Sequence, residues 1–113
     1  MKLSTSEVSS ITVISLEGSV LGGPDAASLI DELRKLADKK KKKVVVDLSG
    51  VQSMNSSGLA MLIEALKTMK DAKGHFKIAG ASRKIESLMA MTRLTTIFEL
   101  YPSVQKAVAS FEG

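Results

Sequence analysis

One stretch constrains this chain more than any other: Lys43 to Leu66, KVVVDLSGVQSMNSSGLAMLIEAL. It begins with Lys43-Val44-Val45-Val46-Asp47-Leu48, a short β-branched and apolar run with a charge near either end. Continuous rather than alternating apolarity marks a strand buried on both faces, the habit of parallel sheets. Ser49 to Met54 reads as a loop that keeps two apolar side chains, Val51 and Met54. Asn55-Ser56-Ser57 then offers three consecutive helix N-cap residues. Behind them Leu59, Leu62, Ile63 and Leu66 recur at three- and four-residue spacing and form one apolar stripe. A strand feeds a loop, and the loop feeds an amphipathic helix whose first turn is crowded with hydroxyls.

That first turn has chemistry of its own. A helix start leaves several backbone N–H groups without intrahelical partners, and the macrodipole adds partial positive charge there. From the local residues alone, Asn55, Ser56 and Ser57 need be no more than caps. Phosphorylated, one of those hydroxyls would carry about −1.5 to −2 charges and change what a partner meets.

The flanking sequence supplies alternating strands and helices. Met1 to Thr5 and Ile11 to Leu16 read as two strands joined by the polar stretch Ser6 to Ser10. Ile11 and Val13 share one face and Ile14 and Leu16 the other, which places the second strand inside a sheet. Glu17 to Gly23 breaks that pattern, and Pro24 followed by Asp25 opens a helix with a stripe of Ala26, Leu29, Ile30, Leu33, Leu36 and Ala37. Past the central helix, Gly74 reads as a C-cap, Phe76 to Gly80 as a strand and Ser82 to Thr92 as a helix with Ile85, Leu88 and Met89 inward. Ile97 to Leu100 reads as a short final strand, and Ser103 to Phe111 as a last helix. Such alternation predicts an α/β fold with a mostly parallel sheet, built as one domain over residues 1–113.

The segment Asp47-Leu48-Ser49-Gly50-Val51-Gln52-Ser53-Met54-Asn55-Ser56-Ser57-Gly58-Leu59 resembles the signature of the STAS family. Within it the likeness is to bacterial anti-sigma factor antagonists, whose pattern runs roughly D-L-S-x-V-x-x-M-D-S-S/A/T-G-L. The resemblance implies a mixed, mostly parallel sheet with asymmetrically packed helices, closer to a β/α superhelix than to a doubly wound fold. It also implies a switch. The serine after the acidic residue is phosphorylated in the antagonists, which corresponds to Ser56. One position departs from the pattern: Asn55 stands where the acidic residue is expected, keeping the cap but losing the charge. The partners implied are an anti-sigma factor that is also a serine kinase of the GHKL type, and a PP2C-type phosphatase; the protein itself would need no cofactor. The alternative is a STAS adaptor that is never phosphorylated, such as a stressosome-type scaffold or a lipid-transporter subunit.

The residues expected to meet a partner are Met54, Asn55, Ser56, Ser57, Gly58, Ala60 and Met61, with Val20 and Leu21 as exposed apolar contacts near them. Methionines suit adaptable contact surfaces, and Met54, Met61 and Met91 fall outside the inward stripes, whereas Met69 and Met89 read as core. Other function classes find less support. His75, the only histidine, lies at the far end of the central helix from Ser56, out of reach as its base, so an enzyme is not expected. Gly22-Gly23 lacks the lysine and hydroxyl of a P-loop. The chain has no cysteine and no apolar run near the ~20 residues of a membrane span, in keeping with a cytoplasmic protein. Five lysines, Lys39 to Lys43, account for the whole net charge of +4. Without an aromatic or a second basic cluster beside them, they read as a solvated helix end rather than a nucleic-acid or membrane patch.

Overall fold

A computed structural model describes residues 1–112. Five strands, β1 (Lys2–Val8), β2 (Ile11–Val20), β3 (Lys43–Met54), β4 (His75–Ala79) and β5 (Glu99–Tyr101), form one sheet whose spatial order is their chain order. β1 and β2 are antiparallel, and every later pair is parallel. The β1–β2 hairpin closes on Ser9 and Ser10, both at positive φ (52° and 67°), as a two-residue type I′ turn requires.

Strand order explains the layering. Parallel neighbours that follow one another in sequence are joined by right-handed crossovers, so all their helices fall on the same side of the sheet. α1 (Pro24–Asp38), α2 (Ser56–Asp71) and α3 (Arg83–Met91) accordingly bury Leu29, Leu33, Leu59, Leu62, Ile85 and Met89 with Ile14, Val44, Val46 and Leu48 of the strands. α4 (Val104–Ala109) follows the last strand and packs on the other face, where Ala107 and Val108 meet Ile11, Val13, Val45 and Ala79. β2 and β3 are therefore covered on both sides, as their two-faced apolarity predicts. The asymmetric arrangement, three helices against one, is the expected α/β superhelix.

Among the described residues, Lys77 is the one charged residue buried in this second layer. Its ammonium donates to Ser110 Oγ (2.6 Å), lies 3.7 Å from Glu99, and stands 4.1 Å from the centroid of the Phe111 ring. A buried ammonium needs such partners to offset lost hydration.

The largest departure from expectation lies in the central strand. Ser49 to Met54 is not a loop: β3 runs on to Met54, and β2 runs on to Val20 beside it. The register shows why the pattern hides this. Ser15 pairs with Asp47 but Glu17 with Gly50, and Gly18 pairs with Val51 but Ser19 with Ser53, so β3 carries one extra residue at each of two bulges. The bulge turns Leu48 and Val51, three apart, toward the same core, which breaks the period of two. Asp47 Oδ1 accepts the Ser49 amide at 3.0 Å, the Asp-x-Ser of the motif acting as a local brace.

Smaller corrections concern the ends of elements. The last strand is Glu99–Tyr101, after a short 3₁₀ turn at Leu94–Thr96. Gly74 is not the left-handed cap of α2. Lys73 takes that conformation (φ 61°), with its amide on the Lys70 carbonyl and the Gly74 amide on the Met69 carbonyl at 2.7 Å, a Schellman ending. Gly74 is required for another reason: a Cβ there would lie 2.7 Å from the Lys42 carbonyl oxygen.

Candidate functional site

At the carboxyl ends of β2 and β3 the chain turns twice into helices, and those two turns make the site. Asn55 is extended (φ −108°) and its Oδ1 accepts the Gly58 amide at 2.8 Å, capping α2 through its third residue. The capping bond thus comes from Asn55 and from neither serine. Ser56 and Ser57 occupy the first turn of α2 and are exposed. That turn contains no acidic residue. α1 begins alongside it: a Cβ on Gly22 would meet Ser57 Cβ at 2.8 Å. Gly22 and Gly23 both have positive φ (81° and 60°), so this pair is the turn that brings α1 against α2 rather than a phosphate cradle.

Gly58 is the pivot of the arrangement. A Cβ at this position would lie 2.3 Å from the Val20 carbonyl oxygen and 2.8 Å from Met54 Cγ. Only glycine allows the end of β2 to lie against the first turn of α2. Beneath them Ser53 Oγ donates to Ser19 Oγ at 2.8 Å, tying the two strand ends together. Ser57 is thus backed by the β2–α1 turn, and both serines remain exposed.

The expected contact residues divide by this geometry. Asn55, Ser56, Ser57, Ala60 and Leu21 are exposed and Met54 is half-buried, so these side chains are accessible. Val20, Gly58 and Met61 are buried and present no side chain to a partner. For Met61 the cause is helix phase. α2 packs against α1 as well as against the sheet, so its buried arc takes in Met61 and Ala65, and Ile63 turns outward to 38% exposure. Val20 is buried because β2 continues through it instead of breaking at Glu17.

Sequence reasoning also passed over one side of the surface. α3 lies beside Met54, and Ser53, Met54, Lys84, Leu88 and Met91 line a shallow apolar groove next to the Ser56 turn. Met91 is 82% exposed. Its place outside the α3 stripe is visible in sequence; its nearness to Met54 is not.

The family model that matches this chain is the STAS domain, over residues 2–107. The chain belongs to the STAS family. Among curated relatives, the candidate anti-sigma factor antagonist BtrV of Bordetella bronchiseptica is 24% identical over 112 residues, covering 99% of this chain and 96% of its own. A candidate antagonist of Thermotoga neapolitana is 25% identical over 76 residues, 67% of either chain. Solved structures agree on the fold. A candidate anti-sigma factor antagonist from Thermotoga maritima superposes with a TM-score of 0.86 at 19% identity, covering 98% of this chain and 95% of that one. The anti-sigma factor antagonist SpoIIAA, in its unphosphorylated form, superposes with 0.73 at 11% identity over 99% of either chain. In its phosphorylated form the values are 0.74 and 12%, over 97% of this chain and 99% of SpoIIAA.

His75 opens β4 at the opposite end of the sheet, its ring edge-on to Phe111 at 6.0 Å. No helix among the described residues is long and apolar enough to cross a membrane.

Proposed function

We propose that this chain is an anti-sigma factor antagonist, switched by phosphorylation of Ser56. Unphosphorylated, it binds an anti-sigma factor that is also a GHKL-type serine kinase and so frees a sigma factor. The kinase transfers phosphate from ATP to Ser56 and ends the interaction, and a PP2C-type phosphatase restores it. The observation that carries this reading is the division of labour at the helix start: Asn55 makes the cap, and Ser56 is left free of it and exposed.

The energetics suit a switch. A phosphate at a helix start is tolerated or favoured by about 0.3–1 kcal/mol, so the free protein changes little. An interface closed over the same phosphate must strip its water and oppose any acidic group across the contact, a loss of several kcal/mol. A second reading, an adaptor that is never phosphorylated, takes its support from Asn55, which leaves the first turn without an acidic neighbour for the serine.

Calorimetric titration of the cognate kinase, with labelling from radioactive ATP, separates the two. Ser56→Ala should bind constitutively and take no label. Ser56→Asp should fold normally and bind at least tenfold more weakly, a difference of about 1.4 kcal/mol. Label that persists in Ser56→Ala and disappears in Ser57→Ala would move the site by one residue. No label in any variant, with equal binding throughout, would establish the adaptor.

A further inference from the structure

At the other end of the sheet, beneath the amino ends of β3 and β4, lies a concavity of about 610 Å³. Lys40, Lys41, Lys42 and Lys43 line it, and Lys73 joins them from the end of α2, thirty residues on from Lys43. Two hydroxyls, Ser9 and Ser10 of the hairpin turn, with Ile11 and the rings of His75 and Phe111, also line it. Among the described lining residues Glu7 is the single carboxylate, and it pairs with Lys41.

Helix ends alone do not account for this charge. α1 and α2 both terminate here, and each contributes roughly −0.5 of an elementary charge through its macrodipole. Among the described lining residues, five lysines face one carboxylate, Glu7, and the negative ends of two helix dipoles, so positive charge prevails there. Like charges held around one concavity repel one another unless an anion sits between them. The backbone also holds two of them in place at a cost. Lys40 and Lys73 sit at positive φ (59° and 61°), each at the left-handed position of a Schellman ending, where glycine is the ordinary choice. The volume falls within the usual range of small-molecule sites, about 300–1,000 Å³. A concave ring of lysines also fits a compact ligand better than a flat lipid surface or a duplex.

We infer that this lysine-lined concavity is a binding site for a small polyanion of the polyphosphate class, separate from the Ser56 surface. Lysine ammonium groups supply point-charge recognition of phosphate oxygens. The ligand is recognised by its phosphate chain, whatever group that chain is attached to.

The experiment is isothermal titration of the full chain with sodium tripolyphosphate at physiological salt. Arms with orthophosphate, with phosphatidylcholine/phosphatidylglycerol vesicles and with a 20-nucleotide single-stranded DNA distinguish the sources. Saturable one-to-one binding of tripolyphosphate, at least tenfold tighter than orthophosphate, is expected. The double variant Lys40→Gly/Lys73→Gly removes two charges while placing glycine where the backbone favours it, so it should keep or raise the thermal midpoint. It should weaken tripolyphosphate at least tenfold. Lys35→Gln/Lys67→Gln removes the same charge from exposed helix positions outside the concavity and should change the affinity less than twofold. Equal weakening by both doubles, no saturation by tripolyphosphate, or binding confined to vesicles or DNA would overturn the proposal.

Discussion

Gly58 shows how much of the site rests on one missing side chain. Its neighbours in the motif can be argued from chemistry: Asn55 caps, Ser56 is presented, and Asp47 braces the first bulge. Those roles are local, so the residue types announce them. The demand on Gly58 comes from a strand thirty-eight positions earlier, whose Val20 carbonyl oxygen would lie 2.3 Å from an added Cβ. No local rule asks for glycine in the first turn of a helix, where alanine has the better propensity. Gly58→Ala should therefore lose stability despite that propensity, by about 1–3 kcal/mol as overpacking typically costs. Urea denaturation measures the loss. An unchanged midpoint would mean that β2 can withdraw from α2 freely. The same strand-to-helix contact explains why Val20 belongs to the core, whereas Leu21, one residue on, is 52% exposed at the edge of the candidate docking surface.

At the scale of elements, the order of strands and helices was legible and their phases were not always so. α2 is the clearest case. A stripe at three- and four-residue spacing identifies a helix and one inward face, here Leu59, Leu62 and Leu66. It does not tell how wide the face is, because width depends on how many neighbours the helix has. α2 touches both the sheet and α1, so Met61 is 1% exposed and Ile63, its rival from the pattern, is 38% exposed. Met61→Ala should cost about 2–5 kcal/mol, the usual range for truncating a buried side chain of this size. Ile63→Gln should change stability by about 0.5 kcal/mol or less. Thermal melts of the two variants side by side decide the phase, and the reverse ranking would rotate the helix. β3 shows the opposite limitation. Two bulges break its period, and a broken period reads as a loop although the strand continues to the edge of the site.

Considered whole, the molecule has two chemically different ends joined by β3. Its upper end carries Ser56 and the apolar groove of Met54, Leu88 and Met91; its lower end carries the lysine-ringed concavity. The turn from Asn55 to Gly58 was legible because its residues lie within one motif; the groove beside it was not, because Leu88 and Met91 come from α3. The lower end was only half legible: Lys39 to Lys43 are adjacent in sequence, but Lys73 reaches them through folding, by way of the Schellman ending of α2. Twelve residues of β3, each rising about 3.3 Å, carry the chain across a molecule whose longest extent is 32 Å. At physiological ionic strength the Debye length is about 8 Å, so a charge at one end is screened several times over before it reaches the other. The two ends should then behave independently. Lys40→Gln/Lys42→Gln should leave the affinity for the proposed kinase partner within about twofold, any change falling on the association rate, as expected for charges remote from a contact. Ser56→Asp, in turn, should leave tripolyphosphate binding unchanged within the same margin. Both arms are calorimetric titrations at one salt concentration, followed by stopped-flow association. A shift beyond about threefold in either cross-measurement exceeds what screened charges supply at this distance. It would mean that the sheet itself couples partner release to occupancy of the lysine site.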